Sequence, residues 1–242
     1  MTQKIGVRLA AAALTLTGAA ATADAPRAEE SPRPPVRILA LGDSYTIGEG
    51  VAEDERWPVQ LVSALERRGI PAEPPRILAR TGWTTAQLSQ AMDRASLDAP
   101  YDLVTLLIGV NDQFRQYEEE AYPDRFESLV DRAVALAGDD PGRVLIVSIP
   151  DYGVTPFGAR MGASQISQAL DRYNRINRER AARAGIVHVD ITPISREAAD
   201  DTSLLARDGL HPSGKMYARW IELVLPMAER ALRPDPGSET AP

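Results

Sequence analysis

The chain has 242 residues, enough for one domain with a sizeable core once its two ends are set aside. Its 34 acidic residues against 27 basic ones give a net charge of −7, which opposes binding to phosphate backbones and argues against nucleic acid as a partner. With no cysteine, the chain excludes disulfides, thiol catalysis, lipidation of an N-terminal cysteine and most zinc–thiolate sites.

The first residues have the three parts of an export signal. Lys4 and Arg8 form a positive start, an acid-free apolar stretch follows, and Ala21-Thr22-Ala23 offers the small residues a signal peptidase requires. A signal peptide over 1–23 is therefore expected, cleaved after Ala23, with a periplasmic or secreted mature chain. Thr15, Thr17 and Gly18 interrupt the apolar stretch, so no lasting membrane span is expected. Residues 24–35, rich in proline and acid, read as a linker. Beyond Leu232, Pro234, Pro236 and Gly237 stop any helix, and 233–242 reads as a disordered tail. The folded domain is expected over 36–232.

Within it, strand and helix patterns alternate. Residues 36–41 form a short apolar run between Pro35 and Gly42, as a buried strand does. Pro58, Leu61, Val62 and Leu65 recur at helical spacing, with Gly69 at the terminating position. A weaker strand, 76–79, precedes Thr84 and Gln87, whose spacing is that of a capping box opening a helix toward Ala95. Residues 102–108 are almost uniformly Leu, Val and Ile, as expected when both faces of a parallel strand are covered. A helix over 123–137, a strand over 143–149, a helix over 164–184, a strand over 186–190 and a closing helix over 213–232 complete the pattern. Such alternation predicts a three-layer α/β/α sandwich with a five-stranded parallel sheet, its site beyond the carboxyl ends of the strands.

The residues with chemical potential fall at those ends. Ser44 follows the first strand, Gly82 the second and Asn111 the third, while His211 lies beyond the fifth. A serine hydroxyl is a weak nucleophile until an imidazole takes its proton, and the imidazole is a better base when a carboxylate holds its other nitrogen. His211 is one of only two histidines, and Asp208 lies three residues before it in a glycine-containing turn. Pro212 confines the backbone of His211 to extended conformations. The side-chain amide of Asn111 can donate to an oxyanion or serve a turn. Gly82 can present a bare N–H to the same oxyanion or serve its own turn. His188, inside an alternating strand, is expected to satisfy its ring locally. No clustering of histidines and carboxylates suggests a metal site.

Gly42-Asp43-Ser44, Gly109-Val110-Asn111-Asp112 and Asp208-Gly209-Leu210-His211-Pro212 stand in an order and spacing that resemble the GDSL-type esterases and lipases of the SGNH hydrolase superfamily. The resemblance runs from Val36 to Leu232. It implies a flavodoxin-like sandwich and a serine esterase that works through an acyl-enzyme, without a cofactor. Ser44 would be the nucleophile, His211 the base and Asp208 its partner, with the Ser44 N–H, the Gly82 N–H and the Asn111 amide as the oxyanion hole. Tyr45 departs from the leucine of the family name and would narrow the cleft.

A phosphate-binding loop is the rival reading of a strand, a glycine-containing turn and a helix. Residues 42–50 lack the Gly-Lys-Ser/Thr ending, and Asp43, Glu49, Glu53 and Asp54 would repel phosphate. A non-catalytic glycan- or lipid-binding relative is a second rival. The substrate expected is a short- to medium-chain acyl ester or a lysophospholipid, with a carbohydrate O-acetyl ester as the alternative. The connections 113–122 and 151–163 are long enough to wall an acyl pocket, with Tyr117, Tyr122, Tyr152 and Phe157 as lining or as packing. Pro156 and the small residues after it suggest that the second connection is mobile.

Overall fold

Five short apolar stretches lie side by side as parallel strands in the order β2-β1-β3-β4-β5. They are β1 (Ile38–Gly42), β2 (Arg76–Ala79), β3 (Leu103–Leu107), β4 (Val144–Val147) and β5 (Val187–Val189). The computed structural model describes residues 1–2, 34–117 and 119–233. The expected signal peptide beyond its first two residues, most of the linker and the tail from residue 234 lie outside the described residues.

Helices α1 (Ser44–Ile47), α2 (Trp57–Arg67), α3 (Thr85–Arg94), α4 (Val110–Phe114) and α5 (Tyr122–Leu136) occupy the first half of the fold. The second half holds α6 (Pro156–Ala159), α7 (Ala163–Arg183), α8 (Thr192–Arg196) and α9 (Gly214–Ala231). In the two outer layers α2 packs against α9, while α5 touches both α3 and α7. This is the expected α/β/α sandwich. Strands β1, β3 and β4 are buried along their whole length, in keeping with sequences that are apolar or glycine except for Thr105 of β3.

Local signals in the sequence set the helix ends. Thr84 and Gln87 form the expected capping box, each side chain accepting the other's backbone N–H. Gly69 takes a φ of +79° just past α2, a conformation that favours glycine.

The register decides where the site can be. Gly42 stands opposite Leu107 of β3 and Ala79 of β2, so three strands end in step and their loops open on one rim. The chain order reverses at β1, between β2 and β3, which leaves a crevice at the carboxyl edge.

Three expectations need correction. The connection after β3 is not open loop throughout, because α4 begins directly at Val110. The segment after β4 is also folded, with a 3-10 turn at Tyr152–Val154 followed by α6. Two of its glycines allow close packing: a methyl group on Gly158 would run into the Tyr152 carbonyl, and one on Gly153 would come within 2.7 Å of the Ala163 carbonyl. Finally, His188 does not satisfy its ring. Its Nε2 is buried without a hydrogen-bond partner, and burial pushes its pKa down to about 4, so the ring is neutral.

Candidate active site

Ser44 opens α1 directly after β1. The Asp43 side chain caps this turn, its Oδ1 accepting the Tyr45 N–H at 3.0 Å. As the first helical residue, Ser44 keeps an N–H with no intrahelical acceptor. Gly42 allows the sharp exit from the strand, since a Cβ there would collide with Thr46 and with the Leu107 carbonyl.

Asp43 is fully buried, and its Oδ2 has no hydrogen-bond partner. Burial first, then the nearby negative charge of Asp112, push its pKa up to about 8 against the pull of the Tyr45 N–H. The carboxyl beside the serine is thus held largely neutral below that pH.

His211 arrives from the far end of the chain on a loop closed at its own base. Leu205 bridges Pro212, the Ala206 N–H donates to the His211 carbonyl at 2.7 Å, and the Ser213 N–H donates to the Leu204 carbonyl at 2.8 Å. Within that loop Gly209 takes a φ of +68°, which turns the chain so that Asp208 folds back. Asp208 Oδ1 accepts the N–H groups of Leu210 at 2.9 Å and His211 at 3.0 Å, and its Oδ2 lies 2.6 Å from His211 Nδ1. Partial burial works against the charged carboxylate, but these three hydrogen bonds outweigh it and hold the Asp208 pKa below the usual range.

The imidazole is fixed from a second side as well. Tyr45 meets it edge-on with ring centroids 5.6 Å apart, and the Tyr45 carbonyl accepts the Tyr217 hydroxyl at 3.0 Å. The larger residue after the serine therefore both lines the cleft, as expected, and seats the imidazole.

Helix α4 joins the second and third loops. Asn111 Nδ2 donates to the Trp83 carbonyl at 3.0 Å, which uses one amide hydrogen and leaves the other. Asp112 accepts from Thr85 twice, from the backbone N–H at 2.9 Å and from the hydroxyl at 2.6 Å. Arg115 Nη2 donates to the Gly82 carbonyl at 2.7 Å. Three side chains of one helical turn and a half thus grip residues 82–85 and fix the distance between Gly82 and Asn111. Gly82 has a φ of +79° in a turn where the Trp83 N–H donates to the Arg80 carbonyl at 3.1 Å, so it serves its own turn as well.

Ser44, Gly82, Asn111 and His211 all line one pocket of about 150 Å³. Four of the predicted residues are thereby brought together, and Asp208 stands behind the imidazole as expected. Tyr152 and Phe157 also line the pocket. Tyr122 does not: it is fully buried and donates to Asn177 Oδ1 at 2.8 Å. Tyr117 lies under the Arg125 guanidinium instead, 4.8 Å from its ring centre. Sequence reasoning missed Phe114 and Arg115, because both were assigned to open loop. They stand three and four residues beyond Asn111, the spacing that puts side chains on one helical face.

A model of the GDSL-like lipase/acylhydrolase family matches residues 40–219. The chain belongs to that family. It is a carboxylic ester hydrolase. Among solved structures, this GDSL hydrolase is similar in fold to TesA, with a TM-score of 0.63, 20% identity and coverage of 81% of this chain and 99% of that one. It is similar to Axe2, an acetylxylan esterase from Geobacillus stearothermophilus, at TM-score 0.56 and 19% identity over 83% of this chain and 95% of that one. It is also similar to the psychrotrophic esterase EstA from Pseudoalteromonas sp., at TM-score 0.59 and 16% identity over 81% and 98%. No curated protein sequence matches it. Among the described residues no helix is long and apolar enough to cross a membrane.

Proposed function

We propose that this GDSL hydrolase cleaves short-chain acyl esters through a serine acyl-enzyme. The reading rests on one observation: Ser44, Gly82, Asn111 and His211 share a single pocket while Asp208 holds the far nitrogen of the imidazole.

In the proposed sequence Ser44 Oγ attacks the ester carbonyl carbon and its proton passes to His211 Nε2. Charge develops on the carbonyl oxygen, where the N–H groups of Ser44 and Gly82 and the remaining Asn111 amide hydrogen are the donors. The tetrahedral intermediate collapses, and the alcohol leaves with the proton from Nε2. Water then enters, gives a proton to Nε2 and attacks the acyl-serine. The acid departs as Ser44 recovers its proton. Asp208, held charged by its hydrogen bonds, steadies the imidazolium in both halves.

The size of the pocket supports a short acyl group. About 150 Å³ is small beside the roughly 300–1,000 Å³ of sites for drug-sized ligands, room for a short acyl chain among Val110, Phe114, Phe157 and Leu210. Nitrophenyl esters from acetate to dodecanoate test this: kcat/KM is expected to peak at the short end. Ser44→Ala should abolish turnover and labelling by a fluorophosphonate. Near-native turnover in that variant would refute the serine mechanism.

A further inference from the structure

We propose that a second cavity beside the first binds the alcohol half of the ester, and that this half is a neutral polyhydroxylated group such as a sugar. The proposal rests on the ester-hydrolase reading of the first pocket, whose small apolar volume the acyl group would occupy. Phe114 and Tyr152 line both cavities, so a substrate cleaved at Ser44 extends past these rings. The second cavity has a volume of about 390 Å³, within the range of small-molecule sites.

Its lining is polar in a particular way. Gln113, Gln116 and Gln165 each bring an amide, which offers a donor and an acceptor together and so matches a hydroxyl, which is both. The Tyr152 hydroxyl donates to Gln113 Oε1 at 2.8 Å, which leaves Nε2 as the donor end of that amide. Gln116 holds a φ of +52° just past the C-cap of α4, a left-handed turn that ends the helix at the cavity wall.

Charge decides between ligand classes. Glu119 and Arg172 are the charged residues among the described lining, and they pair with each other through Oε1 and Nε at 3.1 Å. That bond leaves the Arg172 Nη donors and Glu119 Oε2 for further hydrogen bonds, yet no net charge to attract a phosphodiester. Phe114, 44% exposed at the junction, offers an apolar face to the C–H side of a sugar ring. Three amides and an apolar ring face match the alternating hydroxyls and C–H faces of a neutral polyol, and the paired charges offer a lone anion no excess cation.

The test uses the full chain and a readout that needs no turnover. Calorimetric titration with xylobiose and methyl β-glucoside, both free of ester, should give millimolar binding. Gln165→Leu, on an exposed position of α7, should weaken it about tenfold, the loss of roughly one hydrogen bond. Phe114→Ala should do likewise. The ratio of kcat/KM for an acetylated xylobiose over nitrophenyl acetate should fall by the same factor in Gln165→Leu, whose side chain lines the second cavity alone. Failure of either sugar to bind, binding indifferent to both substitutions, or preferential binding of glycerophosphocholine would each overturn the proposal. A protein that binds sugar but cleaves no ester would keep this subsite and lose the catalytic reading. One that cleaves nitrophenyl acetate and ignores sugars would lose the subsite alone.

Discussion

Asp208 addresses His211 through both carboxylate oxygens, Oδ1 on the backbone N–H and Oδ2 on Nδ1 at 2.6 Å. The ring and its own main chain are therefore anchored by one side group. Asp208→Asn should keep the turn, because the amide oxygen can replace Oδ1, yet present the wrong partner to Nδ1. We expect kcat to fall by about 10³–10⁴ with little change in KM or melting temperature. A loss under tenfold would show that the carboxylate has no part in the chemistry.

The grip of α4 on the second loop separates two kinds of effect. Asn111→Ala should lower kcat by about 10²–10³, as expected for loss of one oxyanion donor. Arg115 donates to the Gly82 carbonyl at 2.7 Å and to Gln87 Oε1 at 3.4 Å and does not line the pocket, so a positioning role is expected of it. Arg115→Ala should lower kcat about tenfold at nearly constant KM, and Arg115→Lys should recover part of that loss. Steady-state kinetics on nitrophenyl acetate reads both. An Arg115→Ala enzyme altered in KM alone would point to a contact with substrate instead.

Asp43 and His188 give stability opposite slopes with pH. A carboxyl whose folded pKa is raised to about 8 binds its proton more tightly when folded, so its contribution is present below about 4 and is lost as pH rises toward 8. Asp112 is raised too, through burial, and adds slope of the same sign. Asp43→Asn should therefore flatten, without abolishing, the decline in unfolding free energy between about pH 6.5 and 8. Urea melts across that range check it, and a slope equal to that of the parent would show Asp43 charged when folded.

The folded-state pKa of His188 is lowered to about 4, which favours the neutral ring. Its contribution is present above about pH 6.5, the ordinary histidine value, and is lost as pH falls toward 4, by about 3 kcal/mol at most. His188→Gln should remove that loss and flatten the acid limb of the stability curve. Urea melts between pH 4 and 6.5 would show it; a limb as steep as the parent's would assign the acid loss to other groups.

Much of the site was legible because a parallel sheet turns chain order into spatial order. Ser44, Gly82 and Asn111 each follow a strand directly, so identifying β1, β2 and β3 was enough to place them on one rim. His211 was legible from its carboxylate spacing and from Pro212. What stayed hidden depends on side-chain direction. Nothing in the sequence distinguishes Tyr122, turned into the core toward Asn177, from Tyr152, turned toward the pocket. Helix α4 was missed because five residues after a glycine carry too little periodicity to register. With it went Phe114 and Arg115. The packing role of Gly158 was equally out of reach, since the carbonyl that a side chain there would strike belongs to Tyr152, and their approach is set by tertiary folding.

The loop that carries Asp208 and His211 is tied across its own neck, by Leu204–Ala206 on one side and His211–Ser213 on the other. Asp208 and His211 thus form one cartridge, seated against the Tyr45 ring beside Ser44. A shift of the whole cartridge would change the reach of the imidazole toward Ser44 while its internal spacing stayed intact. Substitutions at Leu204, Leu205 or Ser213 are therefore expected to alter turnover while the 2.6 Å spacing of Asp208 and His211 is kept.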